Sequence, residues 1–198
     1  MAVKEESHRA RQAQATKEQV AGAARVLFAE QGYVVTTIAA ISEAARIPAQ
    51  TIYSAFGNKP AILREISRLW IAEADTRRLA QESLALTDPV ERMRSAAHWH
   101  TRQFETGIDV IRIYQEAARA DQRMAAEMQR VWGAREHELA LFLQSFAGQL
   151  AHDPQRSLDL FLACTTMEIY QLLVLDRGWP IAAYEAWLAD TLVAQLLP

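Results

Sequence analysis

The 198-residue sequence predicts an all-α fold, and three features carry that prediction. Apolar residues recur at i, i+4 and i+7, the spacing that lines one face of a helix, and nowhere do they alternate with polar residues as in a half-buried strand. Only 7 Gly and 6 Pro are present, too few turn formers for a fold of many short strands. Hydrophobic residues make up 51% and charged residues 23%, enough apolar material to bury a core without disulfides or metals.

The elements follow in order. Thr16-Lys-Glu-Gln19 has the form of a capping box, in which a hydroxyl and an amide side chain satisfy the free backbone N–H groups of a helix start. Val20, Ala24, Leu27 and Phe28 then share a face, and Gly32 is suited to the left-handed conformation that ends a helix, so the first helix is expected from Thr16 to Gln31. Thr37 caps a second, short helix with Ile38, Ile41 and Ala45 on one side. Pro48 disfavours helix at Ile47 and is tolerated in a first turn, so a turn of about three residues separates this helix from a third that opens at Pro48. Ile52 and Phe56 point inward from the third helix, and Gly57-Asn58 ends it. A long fourth helix from Lys59-Pro60 carries Ile62, Ile66, Leu69 and Trp70 and is expected to persist to about Leu86. Further helices follow, punctuated by Gly107, Gly133, Asp153-Pro154 and Gly178-Trp-Pro180.

Charge and special residues narrow the function classes. The net charge is −3, yet residues 1–60 carry 7 Lys/Arg against 5 Asp/Glu while residues 61–198 carry 14 against 19, so the basic part is N-terminal. A lone Cys164 excludes an intrachain disulfide and fits a reducing compartment. The N-terminus has no apolar stretch of signal-peptide type, and Asp159 and Glu168 interrupt the most apolar run, Leu158 to Leu175, which argues against a membrane span. A cytoplasmic protein with no membrane partner is expected. Nucleophile elbow, dinucleotide fingerprint, phosphate loop and metal-ligand spacing are all missing, so neither enzymatic activity nor a cofactor is expected. His98 and His100 lie two apart and face different sides of a helix, which disfavours a metal pair.

From Gln19 to Glu65 the sequence resembles the DNA-binding domain of the TetR family of bacterial repressors. The resemblance is carried by the Ala-Ala-x-x-Leu-Phe run Ala23 to Phe28, by Gly32-Tyr33, Thr36-Thr37-Ile38 and Thr51-Ile52-Tyr53, and by Phe56 and Lys59. It implies a helix-turn-helix domain over residues 1–58, with 1–15 as a flexible arm, and a ligand-binding and dimerisation domain over 59–198. The residues agree physically. The third helix presents Ala49, Gln50, Thr51 and Ser54 near its N-terminal end, where a helix in a major groove reads base edges. Gln50 is the best base reader because its amide matches adenine bidentately. Thr37, Tyr53 and Lys59 suit phosphate contact, against the alternatives of a half-buried aromatic for Tyr53 and a solvated helix start for Lys59. Two residues depart from the family pattern. Arg46 stands where the turn usually carries Gly, so either the turn is reshaped or Arg46 bears left-handed strain of roughly 1–2 kcal/mol, and Arg46 is then also a candidate phosphate ligand. Pro48 replaces the usual Ser or Thr cap. Lys4, Arg9 and Arg11 form either an arm along DNA or a disordered tail.

The resemblance further implies a pocket and a dimer surface beyond the fourth helix. Met93, Ala97, His100 and Phe104 share one helical face, and Tyr114, Met124, Met128 and Trp132 are candidates for the same cavity. His100 is either a hydrogen-bonded core residue or a group that orients ligand. The lining favours a hydrophobic or planar effector such as a drug, flavonoid or fatty acyl compound. The last helices carry broad apolar faces, Leu158, Phe161, Leu162, Thr165, Ile169, Leu172 and Leu173, then Ile181, Tyr184, Leu188, Leu192 and Leu196. Pairing them across a two-fold axis makes a homodimer, the alternative being that they fold back onto their own subunit. The expectation is a repressor that releases a palindromic operator when a small molecule binds.

Overall fold

The computed structural model of this chain describes residues 2–146 and 148–198, with side chains from His8 onward. Every regular element among the described residues is helical. In order they are α1 (Ala2–Gln31), α2 (Ile38–Ala45), α3 (Ala49–Phe56), α4 (Lys59–Ala74), α5 (Thr76–Ala85), α6 (Pro89–Ala120), α7 (Gln122–Gln144), α8 (Pro154–Cys164), α9 (Met167–Tyr170), a π-helical turn Gln171–Asp176, and α10 (Ile181–Leu196).

The chain divides into two compact units. The first comprises the residues up to Trp70 together with Asp109–Met128, and the second comprises Ile71–Ile108 together with Gln129–Pro198. This division differs from the boundary expected after residue 58, because α4 and the C-terminal part of α6 pack with the helix-turn-helix. In the first unit Val20, Ala24 and Phe28 of α1, Ile41 and Ala45 of α2, Ile52 of α3 and Ile62, Leu63 and Ile66 of α4 form a buried core. Burying each large aliphatic side chain stabilises the fold by about 1.5–3 kcal/mol, which outweighs the modest helix propensity of the eight-residue α2 and α3. In the second unit Met93, Trp99, Phe104, Phe142, Phe146, Phe161, Tyr170 and Tyr184 are buried together with Leu158, Leu188 and Leu192.

Three boundaries differ from expectation. The first helix begins at Ala2, so Thr16 is interior and its hydroxyl donates to the Gln12 carbonyl at 2.9 Å instead of capping a helix start. Ala2–Ala15 is thus helical, while any role for the Lys4 side chain lies outside the described residues. The fourth helix stops at Ala74 because Asp75 turns left-handed (φ 52°), and α5 starts afresh. Gly133 lies inside α7 and breaks nothing. At Gly107, by contrast, φ −155° and ψ 25° are non-helical and α6 kinks there. By length and composition alone Pro154–Asp176 could cross a membrane. The chain breaks this stretch at Thr165 and Thr166, and it buries Leu158, Phe161, Thr165 and Tyr170 in the second unit.

Candidate nucleic-acid interface

Local chemistry builds the helix-turn-helix. The Thr37 side chain accepts from the Ala40 N–H at 3.1 Å and starts α2. The helix ends at Arg46, left-handed with φ 53° and ψ 36°, whose N–H donates to Glu43 O while Ile47 N–H donates to Ser42 O. The turn is therefore not reshaped, and Arg46 bears the strain that a Gly would avoid. Two side chains clamp it. Gln19 Nε2 donates to Ala45 O at 2.8 Å, and Ser42 Oγ donates to Ile47 O at 2.7 Å. Pro48 then opens α3 without a side-chain cap.

The reading face of α3 follows from its period. Ile52 is buried and Ala49, Ala55 and Phe56 are half-buried, while Gln50, Thr51, Tyr53 and Ser54 turn outward. Tyr53 is 52% exposed, so it is not a core aromatic. Ser54 Oγ donates back to the Gln50 backbone carbonyl at 2.8 Å, and the Gln50 side chain is exposed. Thr37 and Arg46 are exposed beside this face. Together these residues make a small polar surface with one cation on a rigid apolar base.

Lys59, expected at phosphate, is turned toward the α1–α2 turn. Its ammonium donates to three backbone carbonyls, Tyr33 O at 2.6 Å, Val34 O at 3.1 Å and Thr36 O at 3.0 Å, and lies 4.4 Å from the Tyr33 ring centroid. An ammonium has three protons, and the three carbonyls match them. Burial lowers the Lys59 pKa, a cost the carbonyls and the ring offset. The same turn is held from its N–H side by Glu116 of α6, which accepts from Tyr33 N–H at 3.0 Å and Val34 N–H at 3.1 Å. Gly32, at φ 96°, sits so close that a Cβ there would lie 3.0 Å from Glu116 Oε1. A bidentate pair, Arg25 Nε and Nη2 to Asp109 at 2.6 and 2.7 Å, fixes the start of the same α6 segment to α1. Glu116 and Asp109 carry no sequence signal, since each reads as an ordinary solvated polar residue, and Gln19, read as part of a capping box, instead holds the Ala45 carbonyl.

The pocket candidates divide between the units. Met93, Ala97, His100 and Phe104 are buried on one face of α6 in the second unit. Tyr114, Met124 and Met128 belong to the first unit, where burial pushes the Tyr114 phenol up to about 12. Trp132 is 47% exposed and lines no core. The dimer candidates need a larger correction. Leu158, Phe161, Thr165, Tyr184, Leu188 and Leu192 are buried within the chain's own second unit, together with Leu196, so a partner cannot reach them. Leu162, Ile169, Leu173 and Ile181 are half-buried, and Leu172 is 47% exposed; with the exposed Leu175 and Trp179 they form the apolar surface left uncovered. The periodicity correctly marks these helices as amphipathic, but it cannot tell an intrachain face from an interchain one. Among the described residues no three His, Cys, Asp or Glu side chains gather as metal ligands, and His98 faces outward to Glu185 at 3.0 Å while His100 is buried.

Residues 22–66 match the family profile described as bacterial regulatory proteins, tetR family. No curated protein matches the chain in sequence. Among solved structures the fold is similar to that of a transcriptional regulator from Saccharomonospora viridis in complex with choline, with a TM-score of 0.72 at 17% identity over 93% of this chain and 99% of that one. It is similar to the TetR family regulator PfmR from Thermus thermophilus, with a TM-score of 0.70 at 20% identity over 90% and 99%. It is also similar to the regulator FadR from Bacillus subtilis in complex with stearoyl-CoA, with a TM-score of 0.70 at 17% identity over 89% and 97%. At such identities the likeness concerns the fold.

Proposed function

We propose that this chain, which belongs through its N-terminal domain to the tetR family of bacterial regulatory proteins, is a one-component repressor that leaves a palindromic operator when a small effector binds. The observation that carries the reading is the outward set Gln50, Thr51, Tyr53 and Ser54 on the short α3, held in place by Ile52 beneath and by the left-handed turn before it. A helix of eight residues fits a major groove, its amide side chain matches an adenine edge, and its hydroxyls reach phosphates. A homodimer would place two such helices about 34–36 Å apart on successive grooves, and the uncovered face of Leu162, Ile169, Leu172, Leu173, Leu175 and Trp179 is our candidate for its interface. Such a protein acts in the cytoplasm, on DNA, and performs no chemistry on its effector.

Chain continuity supports the coupling. The helix that carries His100 runs on through the kink at Gly107 into the segment that carries Asp109 and Glu116. A shift of that segment pulls directly on the Tyr33–Val34 turn between α1 and α2. Linkage then requires effector and operator to weaken each other's binding by the same factor.

Binding of the purified protein to DNA from upstream of its own gene, measured by footprinting and by anisotropy across a salt series, tests the proposal. Wild type is expected to protect a palindrome, and Gln50→Ala is expected to lose about 1–3 kcal/mol of discrimination at one base pair per half-site. Binding that ignores sequence, or an unchanged base preference in Gln50→Ala, would overturn it.

A further inference from the structure

The second unit holds a half-buried cation without an anion. Arg135 of α7 is turned inward, and among the described residues no carboxylate lies within 4.0 Å of its guanidinium. Its guanidinium meets His100, with Nη2 at 3.1 Å from Nε2, and its Nε has no partner. Withdrawing part of a guanidinium from water is costly unless an opposite charge or further acceptors replace the lost hydration, and the buried Nε–H has neither.

His100 makes the mismatch plainer. It is fully buried (0% exposed), and its Nε2 lies 3.1 Å both from Thr165 O and from Arg135 Nη2. In the neutral ring Nε2 either donates to the carbonyl or accepts from the guanidinium, and it cannot do both. Protonation offers no escape, since burial and the Arg135 charge hold its pKa down at about 3. Whichever tautomer forms, one contact is between two donors or two acceptors, and Nδ1 has no partner. Tyr184 adds a third unsatisfied group, a buried hydroxyl without a partner, linked to His100 through the ring contacts Tyr184–Tyr170 at 5.0 Å, Tyr170–Phe104 at 5.3 Å and Phe104–His100 at 5.0 Å. Two further rings pack on His100, Phe161 at 6.0 Å and Trp99 at 5.5 Å, whose buried Nε1–H also lacks a partner.

Access is built into α7. From Gln129 to Glu138 every residue is exposed except Arg135, so opening this stretch forfeits few buried contacts. We propose that the effector is an amphipathic organic anion, whose carboxylate pairs with Arg135 while its apolar body lies among Trp99, Phe104 and Phe161. The anion would take the guanidinium, leave Nε2–H of His100 free to donate to Thr165 O, and so satisfy groups that the ligand-free protein leaves mismatched. This inference deepens the regulator reading and rests on it for the word effector.

The test uses two pairs of probes, decanoate against decanamide and 2-naphthoate against 2-naphthamide, titrated calorimetrically into the full-length protein. Wild type is expected to bind at least one acid about tenfold or more tightly than its amide, the worth of one charge-assisted hydrogen bond. That preference should vanish in Arg135→Met and persist in part in Arg135→Lys. Arg135→Met without ligand should melt no lower than wild type, because it removes a half-buried charge that no carboxylate pairs. Equal affinity for acid and amide, no binding of either acid, or a preference that survives Arg135→Met would overturn the proposal, and the wild-type comparison decides even if a variant fails to fold. Operator affinity read in the same samples separates the two claims. An acid that binds through Arg135 but leaves operator affinity unchanged refutes ligand-coupled regulation and keeps the anion site. An amide that releases operator equally well in wild type and Arg135→Met refutes the anion site and keeps the regulator.

Discussion

Lys59→Met is the substitution on which the assignment of the α1–α2 turn can be judged. Methionine keeps the length and apolar stem of lysine but removes the charge that three carbonyls share, at 2.6, 3.1 and 3.0 Å, together with the cation over the Tyr33 ring. One charge-assisted hydrogen bond contributes about 1.5–3 kcal/mol, and the three do not add, because one charge serves them all. The ring contributes about 0.5–1 kcal/mol more. A loss of about 2–4 kcal/mol follows, which for a chain of this size lowers Tm by about 5–15 °C. Thermal and urea denaturation measure it. The second readout is DNA binding at a temperature where the variant is folded. A residue that neutralised one phosphate would contribute about 0.9 to the slope of log K against log salt, and its removal would flatten the slope by that amount. The geometry predicts no flattening. Unchanged stability with a slope reduced by about one would refute the reasoning and return Lys59 to the DNA backbone.

Two further outcomes follow from the structure. Arg46→Gly should stabilise the protein by about 1 kcal/mol, visible as a rise in the urea midpoint, because glycine adopts φ 53° without strain; a fall would mean that the arginine side chain makes a contact worth more than the strain it carries. His100, with its pKa pushed down to about 3 in the fold against an unfolded value near 6.5, binds its proton only in the unfolded state between those limits, so its contribution is full above pH 6.5 and is lost as pH falls toward about 3, at up to about 1.4 kcal/mol per pH unit. The difference in urea stability between wild type and His100→Gln from pH 7 to pH 4.5 measures that slope, and a difference independent of pH would contradict the buried, neutral ring.

The sequence by itself determined the helix-turn-helix, because that motif is made of local chemistry. Gly32, Thr37, Pro48 and Gly57 act on backbone within a few residues of themselves, and the i, i+4 pair Ile52 and Phe56 settles which side of α3 faces out. Tertiary structure decided everything that depends on partners distant in the chain. Lys59 finds carbonyls at Tyr33 to Thr36, and Glu116 finds amides at Tyr33 and Val34, so neither role can be read from its own neighbourhood. The apolar faces of α8 and α10 were legible as faces, but Tyr184, Leu188 and Leu192 close inside the subunit while Leu172 stays uncovered, a choice made by the packing of whole helices. Arg135 shows the limit most clearly. One arginine beside Glu136, His137 and Glu138 reads as a solvated cation, and only the fold turns it against His100 with no carboxylate to pair it.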